Sequence, residues 1–470
     1  MCRFTKSIIH NLITLDLDIR AHEGCRSLQF STGIFLFRQD LRLTDNFAFQ
    51  QLSERCERML CVYVIQDDWL APNRYGCQSL GTHRQRFLAQ SLHDLNLRLQ
   101  KEAQCLLVKK GDVLSILGEL FTATQPDIIA LNQHCGWNEQ VTEKQITQLC
   151  VTHQVELILS PEASLIDPQQ MPFKVQQVPN VFSPFRRKVE KSNYLRSPLP
   201  IPSAIPPKLL DFDYASGVDL SIALGVDQLP APSHSLARFI GGETCAMRQL
   251  DFYLFDSDLI ANYKHTRNQM DGWEFSSKLS AWLANGCISP ATVSSKIAQY
   301  EKSVLANEST YWLIFELLWR EFFHLQAFKQ GKKLFSLRGI QNNQPSFVHD
   351  QQRFRQWCDG KTGYPIVDAS MRQLNATGFM SNRGRQLVAS CFVHELNLQW
   401  RYGAAYFEQQ LIDYDVASNW GNWQYLAGVG SDPRGHRQFN LAKQTEIYDP
   451  NQDFIKQWLV SDTDDNEQCN

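Results

Sequence analysis

The sequence has no C-x-x-C pair and no histidine–cysteine cluster at zinc-ligand spacing, although it holds 13 cysteines. An odd, unpatterned set of thiols excludes a disulfide scaffold and argues against structural zinc or an iron–sulfur cluster, so no metal is expected. No run of about 18 uninterrupted apolar residues occurs, so no transmembrane helix is expected, and no membrane partner. Neither G-x-G-x-x-G nor a P-loop lies between residues 32 and 160, so nothing there supports the usual way of holding a nucleotide. Strong net charge is missing too. The formal value is −3, so contact with nucleic acid must come from a local patch. The first thirty residues lack a clean apolar h-region and make a poor secretory signal. Asp16, Asp18 and Glu23 also count against a transit peptide, so the expected location is cytoplasmic, with an organellar address left open.

What is present divides the 470 residues into several parts. Residues 1–31 read as a weakly ordered extension. From 32 to 160, short apolar runs alternate with helical stretches: GIFLF (33–37), MLCVYVI (59–65), CLLVK (105–109), DIIALN (127–132) and VELILS (155–160). Buried strands separated by helices predict an α/β domain with a doubly wound parallel sheet. Residues 161–236 are rich in proline and read as a long surface connector, with the basic run FRRKVEK as a solvated face. Residues 237–458 carry nine of the eleven tryptophans and read as an all-α domain. Residues 459–470 form an acidic tail.

Within the helical part, Glu316 and Arg320 sit four apart in STYWLIFELLWREFFHLQAF, whose Ser309 or Thr310 can cap a helix start. The neighbours are apolar on every side, which favours a cavity-lining role over a surface ion pair. WEFSSKLSAWLANG sets Ser276, Ser277, Lys278, Leu279 and Ser280 ahead of an apolar segment, a seat for an anion, with Tyr263 and Arg267 upstream. Between Asn382 and Tyr425, arginines, carboxylates and tryptophans crowd into apparent core. Asp413 and Asp415 read as helix caps, a metal pair or an acid–base pair, and Arg383 and Arg385 offer forked donors to such carboxylates or to a ligand. Indoles beside buried charge suggest a large, flat redox cofactor.

These motifs resemble the photolyase/cryptochrome superfamily, and within it the DASH-type cryptochromes. The likeness runs from FLFRQDLRLTDN (35–46) through VFSPFRRKVE, SSKLSAWLANGCISP, STYWLIFELLWREFF and FMSNRGRQ to KQTEIYDPNQDFIKQW (443–458). It implies an α/β antenna domain, a connector and a helical domain that holds FAD. Implied flavin contacts are Tyr263, Ser276 to Ser280, Arg320, Asn382, Arg385, Phe407, Asp413, Asp415, Asn419 and Trp423, with Asn419 facing flavin N5. Glu316 would hydrogen-bond a pyrimidine dimer, while Trp319, Gln386 and Tyr425 would wall the same cavity. Arg267 and Arg383 would meet DNA. Implied activity is blue-light-driven splitting of cyclobutane pyrimidine dimers by electron transfer from excited reduced flavin, preferentially in single-stranded DNA, by a monomer. Gln386 and Tyr425 point to the DASH branch, and no histidine pair suited to (6-4) repair is present. The alternative is a blue-light receptor with little repair. Asn138 and Glu139 align with the methenyltetrahydrofolate antenna site, where a helix cap is the plainer reading. Trp423 and Trp400 match two members of a photoreduction chain whose outer place is Phe347, so either Trp357 or a tyrosine substitutes or flavin photoreduction is slow.

Overall fold

The structure, a computed structural model, describes residues 29–161, 164–192, 194–226, 238–431 and 437–459. The expected extension falls outside these except for residues 29–31, and the acidic tail except for Leu459.

The five apolar runs form one parallel sheet of β1 (Phe30–Phe37), β2 (Cys56–Ile65), β3 (Leu106–Lys110), β4 (Ile128–Asn132) and β5 (Glu156–Ser160), in the order β3-β2-β1-β4-β5. Alternate residues serve opposite faces. Phe35, Phe37, Cys61 and Tyr63 pack with α1 (Phe47–Ser53) and α2 (Thr82–Lys101). Ile34, Leu36, Leu60 and Val62 pack with α3 (Val113–Thr124) and α4 (Trp137–His153). Covering both faces explains why the strands read as nearly unbroken apolar runs. β1 and β2 begin three residues before those runs. Their first three residues break the apolar run with Ser31, Thr32, Glu57 and Arg58 yet still pair, Phe30 with Cys56 and Thr32 with Arg58. The strand order reverses at β1 and β4, so a crevice opens beyond their carboxyl ends, at Arg38 and His134.

The connector does more than span a surface. Its helix α5 (Phe182–Val189) buries Phe182, Phe185 and Val189 at three- and four-residue spacing, while Arg187 and Lys188 face solvent. Buried polar contacts tie the α/β half to the helical half. Arg42 donates to the Gly286 carbonyl at 2.8 Å, and Glu243 accepts from the Leu43 amide at 2.8 Å.

The helical half is built around the 23-residue helix Glu308–Gln330. Its cap is Asn307, not Ser309 or Thr310. The Asn307 side chain accepts from the Ser309 and Thr310 amides, and Thr310 Oγ1 accepts from the Asn307 amide at 3.1 Å. Thr310 is therefore the returning arm of a capping box. Helices Pro365–Thr377, Asn382–Ser390, Trp400–Gln410 and Val416–Leu426 pack around it. Among the described residues, no helix is long and apolar enough to cross a membrane, and no group of three histidine, cysteine, aspartate or glutamate side chains is placed to hold a metal.

Candidate active site

Along the helix Glu308–Gln330, Leu313, Ile314, Leu317 and Leu318 are buried, but Trp312, Phe315, Glu316, Trp319 and Arg320 are only partly so. Those five fall at helical spacing on one face, the stripe expected of a helix that lines a cavity. Arg267 Nη1 reaches Glu316 Oε1 at 2.5 Å and lies 5.4 Å from the centre of the Trp312 ring. Burial raises the pKa of Glu316, and Arg267 opposes the rise. Arg383 stands close by. It contacts Asn268 at 3.3 Å and stacks on Tyr448 at 4.4 Å. Two arginines from neighbouring segments give this part of the surface cations suited to a phosphate backbone.

Deeper in, a cavity of about 140 Å³ is lined by Asn382, Arg385, Gln386, Phe407, Asp413, Asp415, Asn419, Trp423 and Tyr425. Nine positions singled out from the sequence meet here, contributed by three helices and the loop before Val416. Arg385 Nη2 donates to Asp413 Oδ2 at 2.8 Å, and the Asp413 side chain is 2% exposed. The other Asp413 oxygen is buried with no hydrogen-bond partner among the described residues. A buried acceptor left over in this way suits a ring N–H. Asn419 donates one N–H to the Ala404 carbonyl at 3.0 Å, which fixes its amide and leaves its oxygen and second N–H for a ligand. A Cβ on Gly403 would run into the Trp423 ring, so glycine there lets the indole lie against helix Trp400–Gln410.

Asp415 resolves the ambiguity about the two acids. It caps the helix Val416–Leu426, accepting from the Ser418 amide at 2.7 Å, and its other oxygen meets His324 Nε2 at 2.7 Å. Burial alone raises an aspartate pKa, but His324 and then Arg320 more than offset it, holding Asp415 well below the usual range. Asp413 is the ion-pair partner of Arg385 and no cap. His324 was not legible as a site residue, since it sits among core aromatics two turns beyond Glu316.

Lys278 lies in a tight left-handed backbone turn (φ 58°), 8% exposed, with its Nζ 4.9 Å from the centre of the Phe379 ring. The Arg385 guanidinium lies 5.6 Å from the same ring. Phe379 thus joins the Ser276–Ser280 segment to the deep cavity. Burial drops the lysine pKa to about 8, with Asp271 opposing. A buried cation on a strained residue waits for an anion. Ser280 opens only a five-residue helix, Ser280–Ala284, with Ala281 fully buried in it.

Trp319 is brought to the rim helix but not to the deep cavity. One face stacks on Phe182 of α5, centroids 3.6 Å apart and planes 9° apart. Tyr425 does line the cavity, and Arg437, which the sequence reading missed, lies 4.6 Å from its ring centre.

A second, larger cavity of about 880 Å³ opens between the two halves, at the crevice beyond β1 and β4. Arg38, His134, Trp137, Asn138 and Glu139 line it from the α/β side. From the helical side come Glu408, Tyr414 and Trp420. Neither Asn138 nor Glu139 caps α4, whose cap position is Gly136. Tyr414 and Asp415 line both cavities and form the wall between them.

The family model for DNA photolyase matches residues 33–206, and that for the FAD binding domain of DNA photolyase matches residues 312–465. A cryptochrome DASH of Idiomarina loihiensis is 46% identical, covering 91% of this chain and 93% of that one. The crystal structure of the Synechocystis sp. PCC6803 cryptochrome superposes with a TM-score of 0.86 at 37% identity, over 92% of this chain and 89% of that one. A bacterial class III photolyase from Agrobacterium tumefaciens gives 0.79 at 29% identity, over 93% and 88%.

Proposed function

The chain belongs to the DASH cryptochromes of the photolyase/cryptochrome family, and from that premise we propose that it binds FAD and splits cyclobutane pyrimidine dimers under blue light, preferentially in single-stranded DNA. The observation that carries the reading is the pair of features the fold provides: a cavity with an orphaned buried acceptor, and Glu316 held by Arg267 on a helix face lined with aromatic rings.

The residues present fit a flavin. Asp413 offers its free oxygen to a ring N–H, Arg385 fixes that carboxylate, and the Asn419 amide stands ready for a ring nitrogen. Trp423 and Phe407 supply flat apolar walls. Lys278 and the Ser276–Ser280 backbone suit a diphosphate. When bound and reduced, the flavin supplies the light-driven electron that opens the dimer.

The remaining work belongs to the chain. Glu316, whose pKa burial raises, hydrogen-bonds the damaged bases, and Arg267 turns from that carboxylate toward a phosphate. Trp319 and Tyr425 flank the extruded bases, and Gln386 lines the floor. Lesions must leave the base stack to enter such a pocket. Tyr425 offers less stacking surface than an indole, and stacking contributes about 1–3 kcal/mol per base. A weaker grip favours strands whose bases are already unpaired.

The larger cavity suits methenyltetrahydrofolate as antenna, a pigment that would pass absorbed energy to the flavin. Asn138, Glu139 and Glu408 face an amino-substituted heterocycle, while Arg74, Lys332 and Lys333 face a glutamyl carboxylate. Reconstitution with that folate tests this: an absorbance band of bound pigment that is lost in Glu139→Ala supports the assignment, and an unchanged spectrum refutes it.

Competition binding tests the strand preference. Dimer-bearing single strands should compete at least tenfold better than the same lesion in duplex; equal competition would refute it. The alternative is a blue-light receptor with little repair, which bound flavin without light-dependent dimer splitting would favour.

A further inference from the structure

The outer place of the expected photoreduction chain is Phe347, a half-buried ring whose aromatic contact is His349 at 5.0 Å. Phenylalanine is far harder to oxidise than tryptophan or tyrosine, so the chain must end elsewhere or not at all. Trp357 lies 6.1 Å from Trp423, but it is fully buried. Its neighbour Tyr406 donates its hydroxyl to the Asn375 amide oxygen at 2.6 Å, and an amide cannot take a proton.

Another branch leaves the site in a different direction. Trp423 packs against Gly403, one turn from Trp400 on the same helix. Trp400 and Trp420 meet edge-on with centroids 5.8 Å apart. Trp420 Nε1 donates to the Tyr414 hydroxyl at 3.2 Å. Tyr414 is half-buried, lies under the Arg84 guanidinium at 4.6 Å and lines the interdomain cavity together with Glu408.

We propose that Trp420 and Tyr414 complete the electron route from the flavin site to the interdomain cavity, with the Glu408 carboxylate accepting the tyrosine proton. This rests on the flavin reading above. The oxidant is photoexcited, oxidised flavin, to which Trp423 gives one electron. Trp400 refills Trp423, Trp420 refills Trp400, and Tyr414 refills Trp420. As Tyr414 gives up its electron, its phenolic proton passes to Glu408. The net result is one electron gained by the flavin, a neutral tyrosyl radical at Tyr414 and a protonated Glu408. Handing off the proton keeps the charge from returning at once, which is what a chain ending on a half-buried group requires.

The surroundings of Glu408 support the role. Burial raises its pKa to about 7; Arg84 and then Tyr414 oppose the rise, Glu139 adds to it, and Ser79 opposes it weakly. These groups come from α2, the loop before Val416, α4 and the segment before α2, and Arg401 of the same helix lines the cavity. Above about pH 7 Glu408 is a carboxylate able to accept; below it, the acceptor is already protonated.

Flash photolysis with electron paramagnetic resonance, on oxidised flavin-loaded protein containing ring-deuterated tyrosine, tests the branch. Wild type should give a tyrosyl signal that falls several-fold between pH 8 and pH 6. Tyr414→Phe and Trp420→Phe should each lose at least tenfold of it, while Tyr406→Phe keeps it. Glu408→Gln should shorten its lifetime and abolish the pH dependence. Flavin content equal to wild type shows that a variant is folded. A signal surviving Tyr414→Phe, or lost in Tyr406→Phe, overturns the branch. Wild-type protein that takes up no flavin overturns the underlying reading, and the branch with it.

Discussion

Replacing Arg385 with alanine should be among the costliest single changes in the helical half. Its guanidinium holds Asp413 at 2.8 Å, and that carboxylate is 2% exposed with its second oxygen already unbonded. Arg385→Ala therefore leaves a buried negative charge without its hydrogen-bonded cation. Breaking a buried pair from one side costs about 3–5 kcal/mol. For a domain of roughly 150–250 residues each kcal/mol moves Tm by about 2–4 °C, so a drop of roughly 6–20 °C is expected. The paired change Arg385→Met with Asp413→Leu removes both charges and keeps apolar volume, and should recover most of that loss. Neither variant should hold flavin. Thermal unfolding of flavin-free protein, followed by far-ultraviolet circular dichroism, separates stability from ligand effects. A single variant as stable as wild type, or a double variant no more stable than the single, would refute the buried-pair argument.

Other expectations follow from the same geometry. Glu316→Ala should keep flavin bound and lower dimer splitting at least tenfold, because it removes only the lesion contact; loss of flavin absorbance would make Glu316 structural instead. Lys278 has its pKa lowered to about 8 by burial, so a bound diphosphate should raise it and binding should take up protons between about pH 8 and 10. Calorimetry in two buffers of different ionisation enthalpy reads this, and identical heats would contradict it. Asp415 is held below its ordinary value, so its contribution to stability is present above about pH 4 and lost as pH falls. His324→Leu removes the largest opposing interaction and should move the acid-unfolding midpoint upward; an unchanged midpoint would contradict it.

Much of this architecture is legible in the sequence. The strands declared themselves because both sheet faces are covered, which makes each one a short apolar block. The pairing of Arg385 with Asp413 was legible in kind, because forked donors and carboxylates crowd one apolar stretch. His324 was not, since its partner lies 91 residues away and its neighbours read as plain core. The cap at Asn307 was missed because two hydroxyl residues beside it compete for the same role, and only the extended backbone at Asn307 decides. The interdomain cavity was legible only at Asn138 and Glu139. Glu408, Tyr414 and Trp420 join it through docking of the two halves, which no local pattern encodes. The linker looked like a spacer because prolines mask the three-residue pattern of Phe182, Phe185 and Val189.

The central claim is that the deep cavity and the rim with Glu316 act as one light-driven repair site. Its most direct test is the number of dimers split per minute in a single-stranded oligonucleotide by the reduced, flavin-loaded protein, under blue light and in the dark. The account predicts splitting in light alone, and its loss in Glu316→Ala with flavin retained. Bound flavin with no light-dependent splitting in the wild-type protein would contradict it.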